Sequence, residues 1–514
     1  MRKLLLLTAS LSILGMSCRK GFLDINHNPN NATSSKPELV LSNALVSTAA
    51  EVDNPLGNFF FISGWMGYIA QNSGYILSSN DFQTYRQTNS FGENVWQSQY
   101  HNIADYDYVA KSAKASGQGY YQGVGLIMRS LNYQILVDLF NNVPYSEALL
   151  GTDNIRPKYD DASTIYGDLF LKIDSAMALI KVAADAPDPT ADLMFARKYS
   201  ENPLSAAHFE IVRKQWLQFA NTVKLRMLER LSEMATKPNY FTTELNKVAS
   251  DPNGFLTIDA TVNPGYLSTA GKQSPFYGSN FPTGAAANNY FVANAFPIAF
   301  YNAHSDPRLT QVYSPVSGGG IQGNVLGNPT GPGSNFGPGV LSSTSQDAVI
   351  MLASESYFIQ AEAAARGWIS GDPTTLYQSG VTESFRYLSV PNYSSVASTY
   401  FNRAGDTATN MATRTTMGQK INLIIMQKWI AENLINVLEP YDDYRRFFNS
   451  NLTLPRPLSF ITNSGPPYAI NQTTTPDVRA IPFRILYPQT ELNTNAANVP
   501  SPIDHHTSKI FWMP

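Results

Sequence analysis

The 514-residue chain is 43% hydrophobic and 15% charged, with a formal net charge of −3. That balance suits a folded globular protein and lacks the basic stripe that a nucleic-acid surface needs. A single cysteine, Cys18, excludes an intrachain disulfide, so the body must be held by core burial, for which the chain is long enough.

At the start, Arg2 and Lys3 precede an apolar run from Leu4 to Leu14, and Gly15, Met16 and Ser17 lead to Cys18. This is the pattern of a bacterial lipoprotein signal, and the run is shorter than the about 20 residues a mature transmembrane helix takes. The expectation is removal of residues 1–17, lipid on Cys18, a flexible polar leader over 18–35, and a single α-rich domain over 36–514. An ordinary secretory signal with an incidental cysteine is the alternative.

Ser35-Lys36-Pro37-Glu38 opens the first helix: Ser35 as cap, proline in the first turn, and a carboxylate at the positive end of the dipole. Phe59 to Ala70 reads as helical despite Gly64 and Gly67, and Asn72 to Asn89 as a loop carrying Tyr75, Phe82 and Tyr85. From Val95, the residues Trp96, Tyr100, Ile103 and Ala110 recur at helical steps. The next helix runs from Gly119 to Phe140, antiparallel to the Val95 helix across a short turn at Ser116 to Gly119. Another starts with Ser163 as N-cap and continues through Ile165, Leu169 and Ile173. The clearest helix, His208 to Met234, carries one apolar stripe from Phe209 to Leu231, with Lys214, Lys224, Arg226 and Arg230 expected off it or at its borders.

Residues 251–345 are rich in Gly, Pro, Asn, Ser and Thr with interleaved aromatics. A helix is predicted over Asn288 to Tyr301 and nearly pure loop over 315–340, a length that is often functional. Helices return at Gln346, with Leu352, Ser356, Ile359 and Ala363 on one face and Gly367 as the end. Asp372-Pro373 caps the next, which runs to Tyr387; the pair makes a helical hairpin of tetratricopeptide size. A last helix covers Met417 to Leu438 and is stopped by Pro440, before an aromatic-basic segment from Tyr441 to Arg446 and a proline-rich coil ending in Ile510-Phe511-Trp512. The fold class is therefore mostly α: tetratricopeptide-like helical hairpins forming an α-solenoid scaffold, with a long irregular loop-rich insertion.

Catalytic signatures are missing from the sequence. Gly318 to Gly323 matches G-x-G-x-x-G, but no strand precedes it and no helix follows. There is no phosphate loop, no G-x-S-x-G and no H-E-x-x-H; His505-His506 reads as a solvated pair, and no cofactor or metal is expected. Asp442-Asp443 is the tightest acidic pair for a hydrolase. The remaining resource is the aromatics, 12% of the chain with 28 Tyr. A sugar ring stacks its C–H face on an aromatic plane while Asn, Gln and Asp bond its hydroxyls. Tyr75, Tyr85, Tyr266, Phe276, Tyr277 and Tyr301 are the candidate ligand platforms, each with the alternative of anchoring a long loop. Trp96 and Trp216 lie on apolar helical faces and read as core.

Several stretches together resemble the SusD/RagB family of Bacteroidota outer-membrane lipoproteins, in the SusD-like branch. They are Asp24-Ile25-Asn26-His27-Asn28-Pro29-Asn30, Asn141-Asn142-Val143-Pro144-Tyr145-Ser146-Glu147-Ala148, Trp216 to Arg226, Ser356 to Ala364, Gln427 to Ala431 with Tyr444-Arg445-Arg446, and Arg484 to Pro488 with Glu491 and Asn493. Asn142 departs from the Asp or Gly-Asp usual before Val-Pro-Tyr. The resemblance implies a cell-surface protein, lipid-anchored in the outer membrane, that captures oligosaccharides or, in some members, peptides. It would act as the lid of a SusC-like TonB-dependent transporter. The matched motifs look structural, and no ligand residue carries over. A non-catalytic binding protein, an anchored hydrolase and a purely structural adaptor are the three readings to be separated.

Overall fold

A computed structural model describes residues 35–73, 85–280, 290–328, 331–448 and 481–514. Cys18, the leader up to residue 34 and Tyr75 lie outside them. The chain divides into a unit of residues 1–36 and a unit of residues 37–514, to which every element below belongs.

In chain order, α1 (Pro37–Val52), α2 (Phe60–Trp65) and β1 (Ile69–Gln71) precede two long helices, α3 (Glu93–Ser116) and α4 (Gly119–Phe140). Strands β2 (Val143–Pro144) and β3 (Tyr159–Asp160) lead to α5 (Ala162–Val182), α6 (Ala206–Arg230) and α7 (Phe241–Ser250). The central region holds β4 (Ala260–Val262), α8 (Pro275–Asn280), β5 (Phe291–Ala293), α9 (Ala295–Ala303) and α10 (Leu309–Val312). Then follow β6 (Ala348–Met351), α11 (Ala353–Ala365), α12 (Pro373–Tyr387), α13 (Tyr393–Phe401), α14 (Met417–Ala431), α15 (Leu438–Arg446) and α16 (Gln489–Thr494). The strands form three antiparallel pairs: β1 with β5, β2 with β3, and β4 with β6. The architecture is mostly helical, as expected.

The hairpins form for local reasons. Gly117 adopts φ 72° after α3, the left-handed C-cap that glycine takes without Cβ strain, and its N–H closes the last turn. α4 is packed on both sides and needs glycine on both: a Cβ on Gly125 would lie 3.1 Å from the Ala110 nitrogen in α3, and one on Gly123 would lie 2.9 Å from the Ala176 carbonyl in α5. The second hairpin starts where Asp372 accepts from the Thr374 and Thr375 amides with Pro373 in the first turn. α14 opens with a Thr416/Gln419 capping box.

Several expectations are corrected. α5 is capped by Asp161 and not Ser163: the Asp161 carboxylate takes the Thr164 amide at 2.9 Å. The helix expected from Asn288 begins only at Ala295, because 291–293 is a strand and Asn294 caps at the Phe296 amide. Residues 288–289 lie outside the described ones. Pro440 does not stop a helix; α14 has already ended at Ala431, and Pro440 sits in the first turn of α15, where its missing N–H costs nothing.

The largest correction concerns α6. Lys214 is exposed, but Lys224, Arg226 and Arg230 are buried, Arg230 completely. The C-terminal half of this helix is enclosed on all sides, so its cations must be paired. Arg226 meets Glu355 at 3.1 Å and Glu439 at 3.3 Å; Arg230 meets Glu439 at 2.6 Å and Asp442 at 2.7 Å. Lys428 reaches Asp443 at 3.3 Å, and Arg446 grips Glu362 with both terminal nitrogens at 2.6 and 2.5 Å. The stretches Trp216 to Arg226, Ser356 to Ala364, Gln427 to Ala431 and Tyr444 to Arg446 thus each contribute to one buried ionic network. The C-terminal tag joins it: Trp512 is fully buried and donates its Nε1–H to Asp138 at 2.8 Å.

Candidate ligand-binding site

The predicted aromatics have separate surroundings. Tyr301 is fully buried, donates to the Ile430 carbonyl and accepts from the Asn433 amide at 3.3 Å, tying α9 to the end of α14. Phe276 is buried against Phe336 at 5.9 Å between ring centres. Tyr85 is buried edge-to-face on Trp65 at 6.3 Å, and His505 contacts its carbonyl at 3.2 Å. Tyr266 is buried at the end of β4, its amide bonded to the Asn263 side chain. Tyr277 is half-buried. No two of these five rings are paired with one another. The expectation of a solvated histidine pair is corrected, since His506 is buried and His505 half-buried.

The acidic pair is committed to structure. Asp442 is paired with Arg230 and Arg445, and Asp443 with Lys428 and Arg446. Both are buried inside the network, where Asp442 with Asp138 and Glu439 faces a small cavity of about 20 Å³. Among the described residues no group of three or more His, Cys, Asp or Glu is placed to hold a metal ion.

A cleft of about 280 Å³ lies between α3, the turn after β2, and α16. That is near the small end of small-molecule sites. Its apolar wall is Trp96 and Tyr100, one helical turn apart on α3, at 5.0 Å between ring centres. Trp96 is braced by Phe140 at 5.0 Å and by Tyr159 and Tyr487, each at 6.1 Å. Tyr100 donates its hydroxyl to the Pro144 carbonyl at 2.7 Å. The opposite side comes from Pro144, Ala148 and Leu149, the far side from Thr490 and Glu491, and the mouth carries Gln97 and His101.

Local folding places these groups. The β2–β3 pair sets Pro144 against Tyr159. Asp160 then accepts from the Tyr145 amide at 3.1 Å and the Ser146 amide at 2.7 Å, fixing the turn. Tyr487 donates to the Asn142 carbonyl at 2.7 Å, and Tyr159 donates to Glu491 Oε2 at 2.7 Å, which docks α16 beside the cleft. Burial, reinforced by the Glu491 carboxylate, pushes the Tyr159 phenol well up; burial does the same for Tyr100, so both remain neutral donors. The stretches Asn141 to Ala148 and Arg484 to Glu491, distant in sequence, meet here. Trp96 is core, as read, and also lines the cleft. Glu491 had only a motif signal; nothing local in the sequence pairs it with Tyr159.

A family model described as "SusD-like_2: Starch-binding associating with outer membrane" matches residues 29–488. A chitin-binding SusD homolog from Flavobacterium johnsoniae is similar in structure, with TM-score 0.70 and 19% identity over 92% of this chain and 98% of that one. A SusD homolog from Bacteroides uniformis gives TM-score 0.68 and 19% identity over 92% and 99%, and one from Bacteroides fragilis gives 0.67 and 19% over 90% and 94%. The comparison with curated proteins finds no match. The helical-hairpin body and a family match running from the leader to the edge of α16 lead to one conclusion: the chain belongs to the SusD-like family, described as starch-binding and associating with the outer membrane.

Proposed function

We propose that the protein captures an oligosaccharide at the outer-membrane surface, held there by lipid on Cys18, and hands it as a lid to a SusC-like TonB-dependent transporter. The observation that carries the reading is the family match over residues 29–488, whose description joins carbohydrate binding to the outer membrane. A structural neighbour described as chitin-binding supports a glycan as the ligand class.

The role is binding without turnover. Glycosidases use two carboxyls about 5–9.5 Å apart across the scissile bond. Among the described residues the cleft is lined by one carboxylate, Glu491, and the adjacent-acid pair is locked in ion pairs away from it. The candidate platforms Tyr75, Tyr85, Tyr266, Phe276, Tyr277 and Tyr301 remain proposals for ligand contact, with Tyr277 the least buried of the five described rings. A glycan array probed with the purified protein tests the reading. Saturable binding to at least one oligosaccharide is expected; binding only to peptides, or cleavage of a bound glycan, would replace it with the peptide-binding or hydrolase alternative.

A further inference from the structure

We infer that the cleft over Trp96 is a sugar site that seats one uncharged ring of a glycan. The inference rests on the reading that the protein binds a glycan, and adds where the ring sits and which class of ring fits.

Three observations carry it. First, the aromatic wall is prepared. Trp96, 5% exposed, backs the wall against Phe140, Tyr159 and Tyr487, and the half-buried Tyr100, tethered through its hydroxyl to Pro144, presents the accessible ring. Rings that are already immobile lose little entropy when a ligand stacks on them. Second, the rim carries unspent hydrogen-bonding capacity. Glu491 uses Oε2 for Tyr159 and leaves Oε1 without a partner among the described residues. Gln97 spends its amide N–H on Glu93 at 3.2 Å and keeps its carbonyl oxygen available. The exposed Thr490 hydroxyl and His101 ring add groups that both donate and accept. A polyol needs this mixture: acceptors for its hydroxyl protons, a donor for its oxygens, and an apolar plane for its C–H face. Third, the charge is selective. Among the described lining residues the one carboxylate is Glu491 and none is Lys or Arg; of the two cations flanking the lining Pro157, Lys158 is paired with Glu147 and Asp160. An acidic sugar would bring a second negative charge against Glu491 inside the cleft, so the site favours uncharged rings over uronates and sulfated ones.

The test uses the full chain in detergent micelles. The titrants are maltohexaose, N-acetylchitohexaose, the tightest neutral glycan found on an array, and hexagalacturonate. Gln97→Trp and Thr490→Trp fill the cleft from exposed positions without touching the core, and Glu491→Gln removes the charge while keeping an acceptor for Tyr159. The cleft-filling variants should lose at least tenfold in affinity for the neutral glycan that wild type binds, with unchanged circular dichroism and melting. Glu491→Gln should lose several-fold, and wild type should not bind hexagalacturonate. If both filled variants bind as wild type does, the ligand sits elsewhere: this inference falls while the glycan reading stands. If hexagalacturonate binds as tightly as the neutral glycans, the assigned ring class is wrong. If no glycan binds wild type at all, both fall together.

Discussion

Glu362 is the carboxylate by which the buried network can be tested most sharply. It is 2% exposed and accepts from Arg446 at 2.6 and 2.5 Å and from Arg366 at 2.8 Å. Burial pushes its carboxyl up, but the Arg446 and Arg366 guanidiniums outweigh burial and hold it at about 2, below the ordinary 4.5. A carboxyl depressed on folding stabilises the native state above its unfolded value, and that contribution is lost as pH falls from 4.5 through about 2. At about 1.4 kcal/mol per pH unit, the difference amounts to about 3 kcal/mol. Breaking a buried pair by removing one charge costs about 3–5 kcal/mol, which agrees. Glu362→Gln should therefore destabilise the protein by about 3 kcal/mol at pH 7, measured by urea unfolding followed by tryptophan fluorescence. The gap to wild type should narrow as pH falls below 4.5, because wild type then loses what the variant already lacks. Adding Arg446→Met should cost less than the two single changes summed, since the pair is then removed together. A Glu362→Gln cost below about 1 kcal/mol, or a gap that widens in acid, would refute the reasoning.

Other consequences are open to measurement. Gly123→Val would press a side chain on the Ala176 carbonyl and Ile180, and thermal unfolding should show a loss of about 1–3 kcal/mol; an unchanged melt would mean the α4–α5 contact is looser than described. Trp512→Phe keeps a ring but removes the donor to Asp138, so urea unfolding should report a loss of about 1–3 kcal/mol, and a neutral result would detach the C-terminal tag from the network. Cys18→Ala should move the protein from the membrane fraction to the soluble fraction, and retention in the membrane would remove the proposed lipid anchor.

How much of this was legible in the sequence depended on whether the determining interaction was local. The span Gly119 to Phe140 was predicted as it stands, because a turn, a long apolar pattern and a sharp end coincide within one segment. The Asp372-Pro373 start and Tyr387 end of α12 were equally plain, since cap and proline act over three residues. Helices α7 and α13 were not predicted; each is short, and each follows a turn-rich stretch that masks its start. The strands are two to four residues long, and two of the three pairs join segments far apart, so no period of two could announce them. Arg226 and Arg230 were expected near the surface because charge ordinarily stays in water; the partners supplied by α4, α11 and α15 make their burial possible. The cleft was invisible for the same reason. Tyr159 and Glu491 stand 332 residues apart; Glu491 belongs to a motif without a role, and nothing in the sequence singles out Tyr159.

The proposed role is to bind a glycan and leave it intact. Isothermal titration of the detergent-solubilised protein with the best glycan from an array, followed by product analysis of the recovered ligand, tests it directly. Saturable binding at one site per chain and a ligand recovered at full length are expected. Failure of every glycan to bind, or recovery of shortened oligosaccharides, would contradict it.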